Sequence, residues 1–332
     1  MSNRRISFAT QAVGVKPVGD TGGYTAVHGA QSVGLTTTFN TERYFELGQS
    51  AIYQNIEDIP DVQVVINRFC DGHPLVYHLA TEGSTADTLL SRQNQECIVA
   101  WSVVPDTFDS VSGVPLAVAE ASGLLVSSYG VTIATDGPAT EDLTLAGNDL
   151  QWSAGGATIY GTAFTGEIFD NTDTPLNISE SGGLQTRERV VFSGQDNVTL
   201  LPAEIPGITS SGTNEQTAGD YAAHVQSVSI STDLGREDIL ELGRKAPYFK
   251  STIEVISLSG SYINAKEDQD NTSDQTIKIV LKDGTIIDLG TRNRLQSVEE
   301  SGGDTSGGNR TLSFNYQTAN QMTVTHPQNP DN

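Results

Sequence analysis

Residues Gln31 to Tyr53 read QSVGLTTTFNTERYFELGQSAIY, and residues Gln226 to Tyr248 read QSVSISTDLGREDILELGRKAPY. Aligned without a gap, 10 of these 23 positions are identical, where ordinary composition gives about one or two by chance. Leu35 with Ile230, Phe39 with Leu234 and Phe45 with Leu240 are conservative mismatches. A repeat of this kind marks an internal duplication, so the fold is to be sought as two versions of one module. Val33 and Leu35 alternate with polar neighbours, as do Val228 and Ile230, which is the period of a half-buried strand. The stretches that follow, Glu42 to Leu47 and Glu237 to Leu242, predict a short helical turn in each copy. Gly48 and Gly243 would end it at a position tolerant of positive φ. After Tyr53 and Tyr248 each copy enters a new strand, with Val62, Val64 and Ile66 sharing one face in the first and Ile253 and Val255 in the second.

Outward from the repeat, the likeness continues as a pattern of strands. Ile277 to Leu289 reads as a hairpin around Asp283-Gly284, a strong two-residue turn signal. Leu312, Phe314 and Tyr316 alternate with Ser313, Asn315 and Gln317 in a late strand. In the first copy a strand holds Ile98 to Val103, and the late strands are Leu124 to Ile133 and Glu141 to Leu145. The first copy carries an insert, Glu82 to Gln95, where Ser84 and Asp87 are spaced as an N-cap and a favourable third residue, so a short helix is predicted. Between the copies lies Ala154 to Asp220, rich in Gly, Thr and Ser, with strand-like pieces such as Arg189 to Phe192. It is too long for a simple connection and reads as a functional arm or accessory structure.

The bulk composition agrees with a turn-rich β protein. Of 332 residues, 36% are hydrophobic, only 18% are charged, and 33 are Gly. Ser, Thr, Asn and Gln fill polar positions that exposed helix faces would give to Glu, Lys and Arg. The formal net charge is −23. A surface that acidic repels phosphates and argues against a sequence-reading DNA binder. It suits either plain solubility, which charge alone favours about two to one, or a conduit through which DNA passes without sticking. No stretch approaches the roughly 20 apolar residues of a membrane helix. The basic N-terminus lacks the apolar core of a signal peptide. Cys70 and Cys97 would stay thiols in a reducing cytoplasm.

Chemistry-bearing constellations are weak. Cys70, His73 and His78 in FCDGHPLVYH, with Asp71, have metal-like spacing, but the second copy has no counterpart; a turn at Asp71-Gly72 is the plainer reading. Asp268, Asp270 and Asp274 approach a calcium-loop spacing without its Gly or closing Glu. No nucleophile motif accompanies the five histidines, so no catalytic residue, metal or cofactor is assigned.

Four phrases resemble the tail tube subunits of tailed bacteriophages. They are ELGQSAIYQNIEDIPDVQVVINRFCDGHPLVYHLAT (Glu46 to Thr81), ASGLLVSSYGVTIATDGPATEDLTLAGND (Ala121 to Asp149), LPAEIPGI (Leu201 to Ile208) and LGRKAPYFKSTIEV (Leu242 to Val255). The resemblance implies a mainly β fold: two tandem β-sandwich or β-barrel tube modules with short helices, whose inner strands join an intersubunit β-barrel. It implies a non-enzymatic virion subunit, made in the bacterial host cytoplasm and stacked in rings around a lumen that conducts DNA during genome delivery. Its partners would be itself, other tail proteins and transiently passing DNA, with no membrane. On this reading the chain divides into an N-terminal arm (1–22), a first module (23–153), a connecting segment (154–220), a second module (221–326) and a C-terminal tail (327–332). The retained E-L-G-x-x-A-x-Y phrase singles out Glu46, Leu47, Gly48 and Tyr53, with Glu241, Leu242, Gly243 and Tyr248, as assembly or packing corners. Single-module subunits of that family form six-membered rings, so a double-module chain predicts a homotrimer with pseudo-six-fold symmetry. The alternatives are another virion β-protein, such as a capsid decoration or an adhesin, and a β-sandwich enzyme. Against the enzyme, aromatic residues are sparse at 7%.

Overall fold

The structure is a computed structural model that describes residues 11–19, 23–81, 95–103, 115–154, 158–159, 162–163, 184–186, 190–193, 199–200, 208–210, 224–239, 242, 248–250, 256–263, 267–269, 277–281, 283–302, 311–318 and 322–326. The first half contains β1 (Gln11–Pro17), β2 (Thr25–Ala26), β3 (Ala30–Thr38), β4 (Thr41–Phe45), β5 (Ile52–Glu57), β6 (Asp61–Phe69), helix α1 (Val76–Thr81), β7 (Cys97–Val103), β8 (Ala117–Ala134), β9 (Thr140–Gly147) and β10 (Asp149–Ala154). Between the copies lie β11 (Thr158–Ile159), β12 (Thr162–Ala163), β13 (Val190–Ser193), β14 (Thr199–Leu200) and β15 (Ile208–Ser210). The second copy supplies β16 (His224–Asp233), β17 (Glu237–Ile239), β18 (Tyr248–Lys250), β19 (Ile256–Ile263), β20 (Glu267–Gln269), β21 (Lys278–Leu281), β22 (Ile286–Asp288), β23 (Asn293–Ser301), β24 (Thr311–Thr318) and β25 (Thr323–Thr325). The fold is mainly β, as the alternation and composition require.

One run of pairings organises the chain. Antiparallel neighbours follow in the order β3-β6-β9-β8-β16-β19-β24-β23. The first four strands come from one copy and the last four from the other, in the same order of equivalents. The ladders coincide residue by residue. Leu35 opposes Val64, which opposes Leu145, which opposes Val126. In the second copy Ile230 opposes Leu258, which opposes Tyr316, which opposes Leu295. Even the bulges match. Gln31 and Gln226, identical in the repeat, are each the unpaired residue of a register shift, and Ser127 and Gln296 occupy the corresponding shift at the other side. A bulge re-aims a strand and increases its twist, so its retention at two positions shows that both copies share one backbone design. The long strand β8 joins the copies: its end pairs with β16 from Ser128↔Asp233 to Ala134↔Ser227, while its start pairs with β7 and β10.

One face of this sheet is the core. Val62, Val64, Ile66, Val126, Tyr129, Val131, Leu143, Leu145, Val228, Ile230, Leu295, Phe314 and Tyr316 are all buried, each Val, Leu, Ile or Phe contributing about 1.5–3 kcal/mol relative to exposure. They form one apolar cluster with Val13, Val15 and Val99 from β1 and β7, and with Ile279, Leu281, Ile287 and Val324 from the five-stranded sheet β14-β13-β21-β22-β25. The expected hairpin at Asp283-Gly284 is present, with Gly284 at φ +93°. The expected late strands are present and longer than drawn.

Two expectations are corrected. The helical turns expected over Glu42 to Leu47 and Glu237 to Leu242 are not formed where the chain is described: Thr41–Phe45 pairs with β5, and Glu237–Ile239 pairs with β18. Six residues make too short a helix to stand without tertiary support, whereas each stretch has a cross-strand partner directly ahead in the chain. Gly48 does adopt φ +95°, but it serves a reverse turn, where Gln49 N–H donates to Glu46 C=O at 3.2 Å. Gln11–Pro17, assigned to an N-terminal arm, is an inner strand between β2 and β7 with Val13 and Val15 in the core. The one helix among the described residues, α1, precedes the Glu82 to Gln95 insert, whose expected helix lies almost wholly outside the described residues. The described parts of 154–220 are joined to both copies. β13 pairs with β21 and β15 with β20, and the backbone of Gln185 accepts from Ala139 N–H and donates to Cys70 C=O. No helix among the described residues is long and apolar enough to cross a membrane.

Candidate functional site: open edges, a hydroxyl-lined face and an apolar arm

Within one chain the eight-strand run does not close. Among the described strands, β3 pairs only with β6 and β23 only with β24, so each leaves one edge without a partner. The alternation of Val33 and Leu35 marked β3 as a strand but gave no signal that it is an edge.

The face opposite the core is mostly polar and small, with the exposed Val65 and the half-buried Phe69 as its large apolar residues. It presents Ser32, Gly34, Thr36 and Thr38 from β3, Gln63 and Asn67 from β6, Thr144 from β9, Ser128 and Thr132 from β8, Ser229 and Ser231 from β16, Ser313 and Asn315 from β24, and Ser297 and Ser301 from β23, all exposed or half-buried. At the β8–β16 junction the hydroxyls of Thr132 and Ser229 lie 3.3 Å apart. The charged residues described on this face are Asp61, Asp142, Asp233 and Glu299, with Arg294 as the single cation. The Asn67 amide donates to Asp142, which fixes one of the acids.

The hairpin β4–β5 carries the retained phrase. It prolongs the β3–β6 ladder after a joint in which Asn40 Nδ2 donates to Asp61 Oδ2 at 3.0 Å and to Ile59 C=O at 3.2 Å. All its strand residues are exposed. Phe39, Tyr44, Phe45, Leu47, Ile52, Tyr53 and Ile56 are all exposed large hydrophobics, with Leu47 at its tip fully exposed. Tyr53 is the unpaired residue of a bulge between Phe45↔Ile52 and Tyr44↔Gln54. Glu46, Leu47, Gly48 and Tyr53 thus come together on the arm and are not packed inside the first copy. In the second copy the equivalent β17–β18 ladder is present and Leu242 is likewise fully exposed; Tyr248 pairs with Ile239, while Glu241 and Gly243 lie outside the described residues. A Cβ on Gly48 would meet nothing within 4 Å. Gly48→Val is therefore expected to strain only the turn, by about 1–2 kcal/mol. The thermal midpoint of the core should be unchanged in a circular dichroism melt, with any self-assembly of the arm weakened.

A charged cluster is buried in the first copy and was not found from sequence. Arg68 and Glu141, both fully buried, oppose each other across β6 and β9 with Nε 3.1 Å from Oε2. Arg68 also donates to His28 C=O at 3.2 Å and His73 C=O at 3.0 Å. Glu141 accepts from Val76 and Tyr77 N–H at 2.9 Å each and so caps α1. Burial pushes the Glu141 carboxyl up from the usual range, opposed by Arg68 and the two amides. Of the residues with metal-like spacing, His73 stacks on His28 with centroids 3.7 Å apart and sets Nδ1 3.3 Å from Asp71. Gly72 takes φ +91° in the expected turn. Cys70 is buried with its thiol pushed up to about 12. No group of three or more His, Cys, Asp or Glu side chains able to hold a metal occurs among the described residues. Of the calcium-like loop, Asp268 pairs with Thr209 in a strand, while Asp270 and Asp274 lie outside the described residues.

No protein-family description matches the chain, and no curated protein does. Among solved structures, a chain from the virion of a native gene transfer agent particle is similar at 12% identity and a TM-score of 0.25, covering 42% of this chain and 98% of that one; a likeness this slight carries no argument.

Proposed function

We propose that the chain is a non-enzymatic structural subunit of a phage tail tube, three copies of which close a ring whose lumen passes DNA. The observation that carries this reading is the tandem eight-strand run with an open edge at each end and one hydroxyl-lined face. Open edges are aggregation hazards unless paired, and ring closure abolishes them. The resemblance of the Glu46 to Thr81 and Ala121 to Asp149 phrases to tail tube subunits supports the same reading.

Strand spacing bears on the number of chains. With strands about 4.8 Å apart and side chains filling about 5 Å inside the backbone, one chain leaves no lumen, two leave roughly 14 Å and three roughly 27 Å before strand tilt widens each. A duplex is wider than the roughly 16 Å combined depth of its grooves. Without tilt, three chains are the smallest ring that admits it. At the roughly 35–45° tilt of closed barrels two chains would leave about 20–25 Å. The choice of three therefore rests on the six-module ring of the resembling family, while six chains leave a lumen far wider than a duplex needs. The wall would be the hydroxyl-lined face. Its acids, against the single Arg294, limit phosphate adhesion while the small neutral side chains leave DNA little to grip.

The test is electron microscopy of the purified protein. Hollow filaments with three-fold symmetry in cross-section, and rings with the mass of three chains, are the expected result. Six chains per ring, a compact monomer or trimer that never stacks, or a lumen lined mainly by Lys and Arg would count against the proposal; the compact particle would favour a capsid decoration.

A further inference from the structure

We infer that β3 of one chain pairs antiparallel with β23 of a second copy, in the register that β16 and β8 use inside each chain. The inference rests on the ring proposed above and names which edges meet and at which residues.

Its ground is a comparison of the same positions with and without a neighbouring strand. β16 is the counterpart of β3, and in the chain it is covered by β8. Val228 and Ile230 on β16 are buried, whereas their equivalents Val33 and Leu35 on β3 are only half-buried. Leu234, just beyond β16, is 0% exposed and its N–H donates to Ser127 C=O at 2.9 Å. Its equivalent Phe39 is 75% exposed. The same positions are therefore less covered in the first copy, where no described strand lies on the outer side of β3. The strand equivalent to β8 is β23, and its outer edge is the one left open at the far end of the run.

The edge itself argues for a partner. β3 reads AQSVGLTTT over nine residues. It has no charge and no proline, the devices by which permanently exposed edges are kept from pairing. A second copy is the occupant because it presents the equivalent of the strand that already fills this place at β16, with its bulge at the same rung.

The register follows from the internal junction. Inside the chain Ile230 opposes Val131 and Ser231 opposes Gly130. The matched ladders carry Val131 to Glu300 and Gly130 to Glu299. Leu35 should therefore oppose Glu300 of the second copy, Thr36 should oppose Glu299, and Thr38 should oppose Ser297. Phe39 N–H should donate to the carbonyl of Gln296.

Directly opposed antiparallel residues have Cα atoms about 4.5 or 5.5 Å apart, both within disulfide range. The experiment is oxidation of the full-length Thr36→Cys/Glu299→Cys variant, with Thr36→Cys/Ser301→Cys as the register-shifted control and each single variant as a blank. Cys70 and Cys97 are buried, with both thiols pushed up to about 12, and should stay silent. The expected result is covalent dimers and closed trimers from the first variant alone. In parallel, Phe39→Trp should shift its emission to the blue on assembly. Cross-linking of the control in preference to the designed pair overturns the register. Rings that form with no cross-link in either variant overturn the edge pairing while leaving the tube reading standing. Covalent trimers that never stack into filaments support the pairing and count against the tube. A chain that neither assembles nor cross-links at high concentration overturns both.

Discussion

Replacing Glu141 with alanine is expected to lower the unfolding free energy by about 3–5 kcal/mol, read as a shift of the denaturant midpoint at unchanged m-value. The substitution leaves the buried Arg68 guanidinium without its counter-charge and strips the acceptor from Val76 and Tyr77 N–H. The second copy carries uncharged residues at the same rung. Arg68 opposes Glu141 in one ladder, and Tyr262 opposes Leu312 at the matching place in the other. The double variant Arg68→Tyr/Glu141→Leu should therefore cost less than Glu141→Ala, because no buried charge remains. Its residual cost reports the unpaired amides of α1 and the carbonyls of His28 and His73. A loss below about 1 kcal/mol for Glu141→Ala would mean that the pair is hydrated rather than sealed in the core.

Converting Phe45, Leu47 and Tyr53 together to serine is expected to abolish stacking of rings without unfolding the chain. These side chains are 64%, 102% and 67% exposed, so the change in monomer stability should be small, as for surface sites generally. An isolated two-stranded hairpin is marginal in water, and one that carries this many exposed hydrophobics fits a role in association. The two hairpins continue the β3–β6 and β16–β19 ladders from the same rim of the sheet, so a closed ring would extend them all towards one neighbouring ring. Sedimentation should show rings of unchanged mass with filaments lost. Filaments of normal length would assign the arm to something other than stacking, and loss of the folded monomer would make it a packing element.

The duplication, the β class and most strands were legible in the sequence because they rest on local pattern. Val62, Val64 and Ile66 alternate with polar residues, and that period alone sets one face to the core. Asp283-Gly284 and Gly72 demand turns through backbone sterics that no distant contact alters. The retained Glu46 to Tyr53 phrase was legible as special but not as a hairpin. A glycine with positive φ ends a helix and turns a hairpin equally well, and only the pairing of Thr41–Phe45 with Ile52–Glu57 distinguishes them.

Tertiary structure alone decided the rest. Arg68 and Glu141 stand 73 positions apart, and neither their pairing nor their burial is written in the residues around them. Gln11–Pro17 looked like an arm because a single short apolar stretch does not name its partner; β7, far along the chain, makes it an inner strand. Val33 and Val228 are the same residue in the same repeat, yet one is half-buried and the other buried. Sequence fixes which way a side chain points from its strand, since that is set by a local period of two. Whether a strand is an edge depends on what lies beside it, and hydrogen-bond partners across a sheet are contributed by segments of any separation.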